Sequence, residues 1–315
     1  MIRRRGLSSD EILRYRRFAR RKLEASLGSR NDHVLISAEG LLKVDGSGRA
    51  DLAVFLRRFF PQIRVVAYIR PPVSYLSSAF QQKVKGSTIK TFDPDGGWAR
   101  YRARLEDWDR HFGRENVSFW KYAPERFPGG CVVRDFAGRL GLDIPADKIV
   151  RSNSSLSRAG LGILYAYRKH GPESGVGLAV SAANTALVRA AQSVGGPKFR
   201  LAGSVTRRVC ERHADDLSWI ENRLGESLAE KAGDHEHDVA EEADLFQLTS
   251  DDCEAFVAAF EKRTGFAVRV RFPATLDPRP EAVARLVEAC RQVYLQRPST
   301  RLRAAAWQVA FKLLR

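Results

Sequence analysis

Residues 65–83 read VVAYIRPPVSYLSSAFQQK, and no other stretch restricts the fold so tightly. Ile63–Ile69 (IRVVAYI) is a mostly apolar run rich in β-branched residues, which fits a buried strand better than a solvent-facing one. Arg70-Pro71-Pro72 then stops it. Proline cannot donate to a ladder, but it suits the first turn of a helix. Val73–Val84 carries helical apolar spacing. A buried strand running through a proline pair directly into a helix is the opening of a β–α unit. It places Arg70 at the carboxyl end of the strand, the edge at which open α/β sheets bind ligands.

The same alternation extends on both sides. His33–Ser37 is a short apolar run consistent with a first buried strand. A turn at Asp45, Gly46 and Gly48 leads to a helix over 52–60, ended by Pro61. Residues 86–97 (GSTIKTFDPDGG) form a loop. Trp98, Tyr101, Leu105, Trp108 and Phe112 recur at spacings of three and four. This predicts an amphipathic helix ended by Gly113, with the aromatic stripe turned to the core. Residues 116–122 read as another strand and 131–140 as a helix stopped by Gly141. Alternation of this kind predicts an α/β fold with a parallel sheet flanked by helices. From residue 158 the pattern is mainly helical, with helices expected over 158–169, 176–194, 204–213, 251–264, 280–295 and 299–315. The organisation expected is a basic helical arm (1–30), an α/β core (31–157) and a mainly helical C-terminal region (158–315).

Charge bears on partners. Lys and Arg total 53 against 37 Asp and Glu, a net +16 that favours anionic partners. The arm concentrates it: nine basic residues against Asp10 and Glu11 give +7 over residues 1–22. Residues 232–261 hold no Lys or Arg and form an acidic stretch, expected as a solvated linker or a partner for the arm. Cys131, Cys210, Cys253 and Cys290 are isolated, which excludes CxxC metal or redox motifs and fits buried thiols in a reducing compartment. The N-terminus lacks the apolar segment of a signal peptide, and no run of 18 apolar residues occurs, so a cytoplasmic protein is expected. His235 and His237 alternate in the acidic DHEHD with no Cys or third His nearby in sequence, and no metal is expected.

The chemistry converges on the strand–helix junction. A guanidinium (Arg70), hydroxyls one turn apart (Ser74, Ser78) and the unpaired N–H groups of a helix N-terminus suit a phosphate monoester. In this the sequence resembles the sulfotransferase superfamily, whose members take sulfate from 3′-phosphoadenylyl sulfate (PAPS). Their 3′-phosphate site is an Arg ending a strand and a Ser eight residues on in the next helix, often with an aromatic two further along. Arg70, Ser78 and Phe80 match that pattern. LISAEGL (35–41), DFAGRLGLD (135–143) and RSNSSLS (151–157) are also similar to family members, so the resemblance spans residues 30–160. It implies a P-loop-NTPase-like sheet. Arg70, Ser78 and Ser74 would clamp the donor's 3′-phosphate, and Asn153 would stand in a loop closing over the nucleotide. Glu39, by position, would be the base that takes the acceptor proton. The acceptor implied is a hydroxyl or amine of an anionic glycan, glycolipid or small metabolite.

One family feature is missing. No GxxxxGK[ST] or Lys-Thr-Gly-Thr-Thr-like loop for the 5′-phosphosulfate precedes residue 33. Three explanations stay open: a misassigned start, a truncated gene or a degenerate relative. A non-catalytic nucleotide- or glycan-binding protein of the same fold is therefore the first rival. A nucleic-acid-binding protein led by the basic arm is the second, but no helix-turn-helix, zinc-finger or RRM signature supports it. The C-terminal RLRAAAWQVAFKLLR is basic and amphipathic, consistent with packing on the protein or peripheral contact with an anionic membrane.

Overall fold

A computed structural model describes residues 8–29, 33–86, 89–149, 155–173, 175, 177–230, 235–269 and 278–296. The protein is an α/β molecule. Helices α1 (Ser9–Gly28) and α2 (Gly46–Arg57) lead to strand β1 (Val65–Ile69). Helices α3 (Pro72–Lys85) and α4 (Tyr101–Phe112) connect β1 to β2 (Val117–Lys121), and α5 (Val132–Arg139) follows. The rest is helical: α6 (Arg158–His170), α7 (Leu178–Ala191), α8 (Gly203–Arg212), α9 (Ala214–Leu224), α10 (Ser250–Thr264) and α11 (Pro280–Gln296). No described helix is long and apolar enough to cross a membrane.

Strands β1 and β2 pair in parallel, with Val65 opposite Val117 and Ile69 opposite Lys121. Both therefore finish at the same edge, and the ladder continues one residue past it, Tyr122 N–H donating to Ile69 C=O at 2.8 Å. The stripe expected on α4 is present: Tyr101, Leu105, Trp108 and Phe112 are all buried, and Gly113 leaves the helix at φ 88°. Helix α1 starts at the capping box that Ser8 and Glu11 form with each other's backbone.

The α/β part and the helical part share one core. Phe80 of α3 stacks on Phe199 with ring centroids 5.6 Å apart and lies 5.9 Å from Tyr165 of α6. Helix α6 is buried on every side over most of its length, as a central helix must be when it is apolar all round. A Cβ on Gly160 or Gly162 would stand 2.3 Å from Ala191 C=O or 2.2 Å from Leu245 C=O, so only glycine lets α6 approach that closely. Buried Arg168 meets the carboxyl end of α3, its Nε donating to Val84 C=O at 3.0 Å, where the helix dipole is negative.

Two expectations are corrected. His33–Ser37 is not a buried strand; it is extended, unassigned to the sheet and exposed, Leu35 at 61%. An apolar run of five is too short for periodicity to tell a core strand from an exposed segment. Second, the helix expected over 204–213 is followed at once by α9, which sequence reading passed over. The acidic stretch does not meet the arm among the described contacts. Asp238 pairs with Arg200 and Glu242 with Lys169, both in the helical half. Of the thiols, Cys253 and Cys290 are buried, and burial pushes Cys253 up to about 12. The 299–315 segment lies outside the described residues.

Candidate functional site

The carboxyl ends of β1 and β2 open onto a cavity of about 430 Å³, lined by Arg70, Pro71, Ser74, Lys121, Tyr122, Pro124, Glu125, Ala229 and Glu230. Its construction follows from the local sequence. Strand β1 delivers Arg70 to the sheet edge, and the proline pair turns the chain into α3. The Arg70 carbonyl is fixed by Tyr101 Oη–H of α4 at 2.9 Å. Its guanidinium lies 5.6 Å over the Tyr122 ring, and its Nε donates to Ser74 Oγ at 3.2 Å. Because β1 and β2 are in register, Lys121 ends its strand beside Arg70.

Two cationic side chains and a helix N-terminus thus face one cavity, a combination that draws an anion. An internal anion is already there. Helix α3 opens with Pro71 and Pro72 and has no capping side chain of its own; the Ser74 N–H donates instead to Glu230 Oε2 at 2.8 Å, from 156 residues away. Glu230 lies in the segment that follows α9. Within that segment Ser227 C=O accepts from Lys121 Nζ at 2.6 Å, and Glu226 pairs with Arg126 at 2.8 Å.

Of the residues expected to act together, Arg70 and Ser74 meet. Ser78 lies one turn farther along the same face of α3 and is not among the described residues lining the cavity. Phe80 is core, 1% exposed. Glu39 begins a 3-10 turn (Glu39–Lys43) that packs on α4. It does not follow a strand, so the sheet-edge argument for Glu39 as a base is lost with the 33–37 strand. Asn153 lies outside the described residues. Gln81 of α3 is buried, its Oε1 accepting the Leu156 N–H at 2.9 Å.

Sequence reading missed Lys121, Tyr122 and Glu230. Lys121 had a signal, since it closes an apolar strand as Arg70 does. Glu230 had none, because nothing local ties it to α3.

A second, shallower groove lies between α4 and α9, lined by Trp98, Arg100, Arg102, Ala103, Glu106, His213 and Asp216. Asp216 accepts from Trp98 Nε1 (2.7 Å) and from the Tyr101 and Arg102 N–H groups (2.8 Å each), capping α4 from a distance. His213 stacks on Trp98 at 4.7 Å and bonds Asp95 at 3.0 Å through Nε2. Among the described residues no cluster of three potential metal ligands occurs.

A curated uncharacterized protein from Archaeoglobus fulgidus is 32% identical over 104 residues, covering 30% of this chain. The chain spans only 27% of that relative's length. No family model and no solved structure matches.

Proposed function

We propose that this chain binds a phosphate-bearing nucleotide at the N-terminus of α3, and that the ligand class is PAPS and its desulfated product, adenosine 3′,5′-bisphosphate. The reading implies a P-loop-type parallel sheet of which β1 and β2 are the described part. One observation carries it: Arg70, Lys121 and the α3 N-terminus converge on a single cavity at the carboxyl ends of parallel strands. Its size falls within the range of small-ligand pockets, roughly 300–1,000 Å³. The residues present fit a monoester phosphate. Arg70 offers a planar fork, Lys121 a point charge, Ser74 a hydroxyl, and Tyr122 an aromatic face beside them.

The reaction such a ligand serves is sulfuryl transfer to a hydroxyl or amine of a glycan, glycolipid or small metabolite. Binding without turnover is the second reading. It is favoured by the position of Glu39, on a 3-10 turn rather than at a strand end, which removes the expected base from the sheet edge. Release of labelled sulfate from PAPS to an acceptor mixture separates the two.

The binding reading is tested by calorimetric titration with adenosine 3′,5′-bisphosphate. Wild type is expected to bind in the micromolar range. Arg70→Ala removes a charge-assisted contact and should cost about 1.5–3 kcal/mol, roughly a ten- to hundredfold loss. Equal affinity in the two proteins refutes the site.

A further inference from the structure

We infer that Glu230 is an internal competitor for this site: its carboxylate holds the N-terminus of α3 until a ligand phosphate displaces it. The inference rests on the phosphate-site reading above and adds the regulation of that site.

The argument begins with what α3 lacks. A helix opening on two prolines has no side chain to cap it, yet its Ser74 N–H must find an acceptor. Glu230 provides one at 2.8 Å, and in doing so puts a negative charge in the cavity that Arg70 and Lys121 also line. The chain carrying it crosses both strand ends. It leaves α9 at Gly225, in the left-handed region at φ 76°, and ties Lys121 to the Ser227 carbonyl. The same short segment therefore engages two of the three positive elements of the site.

Its attachment is uneven. Leu228 is fully buried, and Glu221 Oε1 accepts from its N–H at 2.6 Å and from the Ser227 hydroxyl at 2.8 Å. Beyond that anchor Ala229 is exposed and Glu230 half-exposed. The Glu230 side chain can swing out while Leu228 stays seated. Asp216, the other distant cap, differs on each count. It sits inside a helix and accepts from three donors. Among the described contacts Glu230 accepts from one, and it lies outside any helix.

A tethered carboxylate acts at an effective concentration on the order of millimolar. A ligand no better than a carboxylate loses to it. A phosphate monoester carries about −1.5 to −2 charge at neutral pH, against one for the carboxylate, and gains correspondingly from two cations and a helix N-terminus. The displaced Glu230 thus makes the site selective for phosphate monoesters over singly charged groups.

The test titrates adenosine 3′,5′-bisphosphate into the full-length wild type, Glu230→Gln and Arg70→Ala. Glutamine keeps an acceptor for the Ser74 N–H and removes the charge, and thermal unfolding checks that the variant is folded. Glu230→Gln should bind about tenfold tighter than wild type. In wild type, hydrogen exchange at residues 226–230 should quicken when the ligand saturates. Unchanged or weaker affinity in Glu230→Gln, with wild type binding and Arg70→Ala not, overturns the competitor and leaves the phosphate site standing. Ligand-independent exchange at 226–230 overturns it as well. No binding by either wild type or Glu230→Gln overturns the phosphate site and this inference together.

Discussion

Arg100 is the non-glycine residue with positive φ in the described backbone, at φ 51° and ψ 57°. The position is forced by its neighbours. Trp98 must bury its ring and reach Asp216, while Tyr101 and Arg102 must present their N–H groups to the same carboxylate. One residue between them absorbs the turn. A side chain in that region costs about 1–2 kcal/mol, which glycine avoids at some loss of chain entropy. Arg100→Gly should therefore raise stability by up to about 1 kcal/mol, seen as a melting point roughly 2–4 °C higher. A lower melting point would mean that the Arg100 side chain contributes more than its backbone costs. Nothing in GGWARYR marks Arg100, because the strain originates in Asp216, more than a hundred residues on. The contrast with Arg70 and Ser74 is instructive. Those two were legible because strand, proline pair and helix lie within one continuous stretch, whereas Glu230 and Asp216 act across the fold.

The same distinction holds for elements. Helix α4 could be read because its aromatic spacing is a local property that tertiary packing only ratifies. The 33–37 segment could not, because its apolar residues state a preference for burial without naming what would cover them. Helix α9 offers no comparable local stripe; it follows α8 after one residue, with Asp215 and Asp216 in its first turn, where acidic residues favour a helix. What α9 does is visible only in three dimensions. Its Arg223 grips Asp109 of α4 with two bonds of 2.7 Å, donates to Val117 C=O of β2 at 2.9 Å and covers the Phe119 ring at 4.8 Å. One mostly buried guanidinium thereby joins three elements, and the same contacts set the base of the Glu230 segment. Arg223→Ala leaves Asp109 without its partner and should destabilise by about 3 kcal/mol or more. Arg223→Lys should recover less than half of that, since an ammonium cannot reproduce the planar fork. Urea unfolding of the three proteins measures both. A loss under about 1 kcal/mol in the alanine variant would place this pair with ordinary surface bridges.

At the scale of the molecule, the titrating groups set a pH window. Burial pushes Asp95, Asp135 and Glu242 upward, but the hydrogen bonds they accept outweigh it and hold all three below the usual carboxylate range. The donors are Arg212 and His213 for Asp95, Tyr68 and Arg139 for Asp135, and Lys169 and Tyr165 for Glu242. Asp45 is held down by the Gly48 N–H that it caps. A carboxylate depressed in the folded state stabilises it above the unfolded pKa, and that contribution is lost as pH falls through the folded one. The chain already carries +16, and each carboxylate neutralised by acid adds to its self-repulsion. The tyrosines work in the opposite direction. Tyr68, Tyr101, Tyr165 and Tyr167 are all pushed up, first by burial, and for Tyr68, Tyr165 and Tyr167 also by bonding Asp135, Glu242 and Glu288. Unfolded, they ionise near pH 10; folded, they keep their protons, so stability declines as pH rises past about 10. The unfolding midpoint should be flat between about pH 5 and 9 and fall on both sides. Glu242→Gln should soften the acid limb, because it removes one depressed carboxylate. An acid limb as steep in that variant as in wild type would show that Glu242 does not contribute to it, and that the remaining carboxylates and the excess positive charge account for the whole slope.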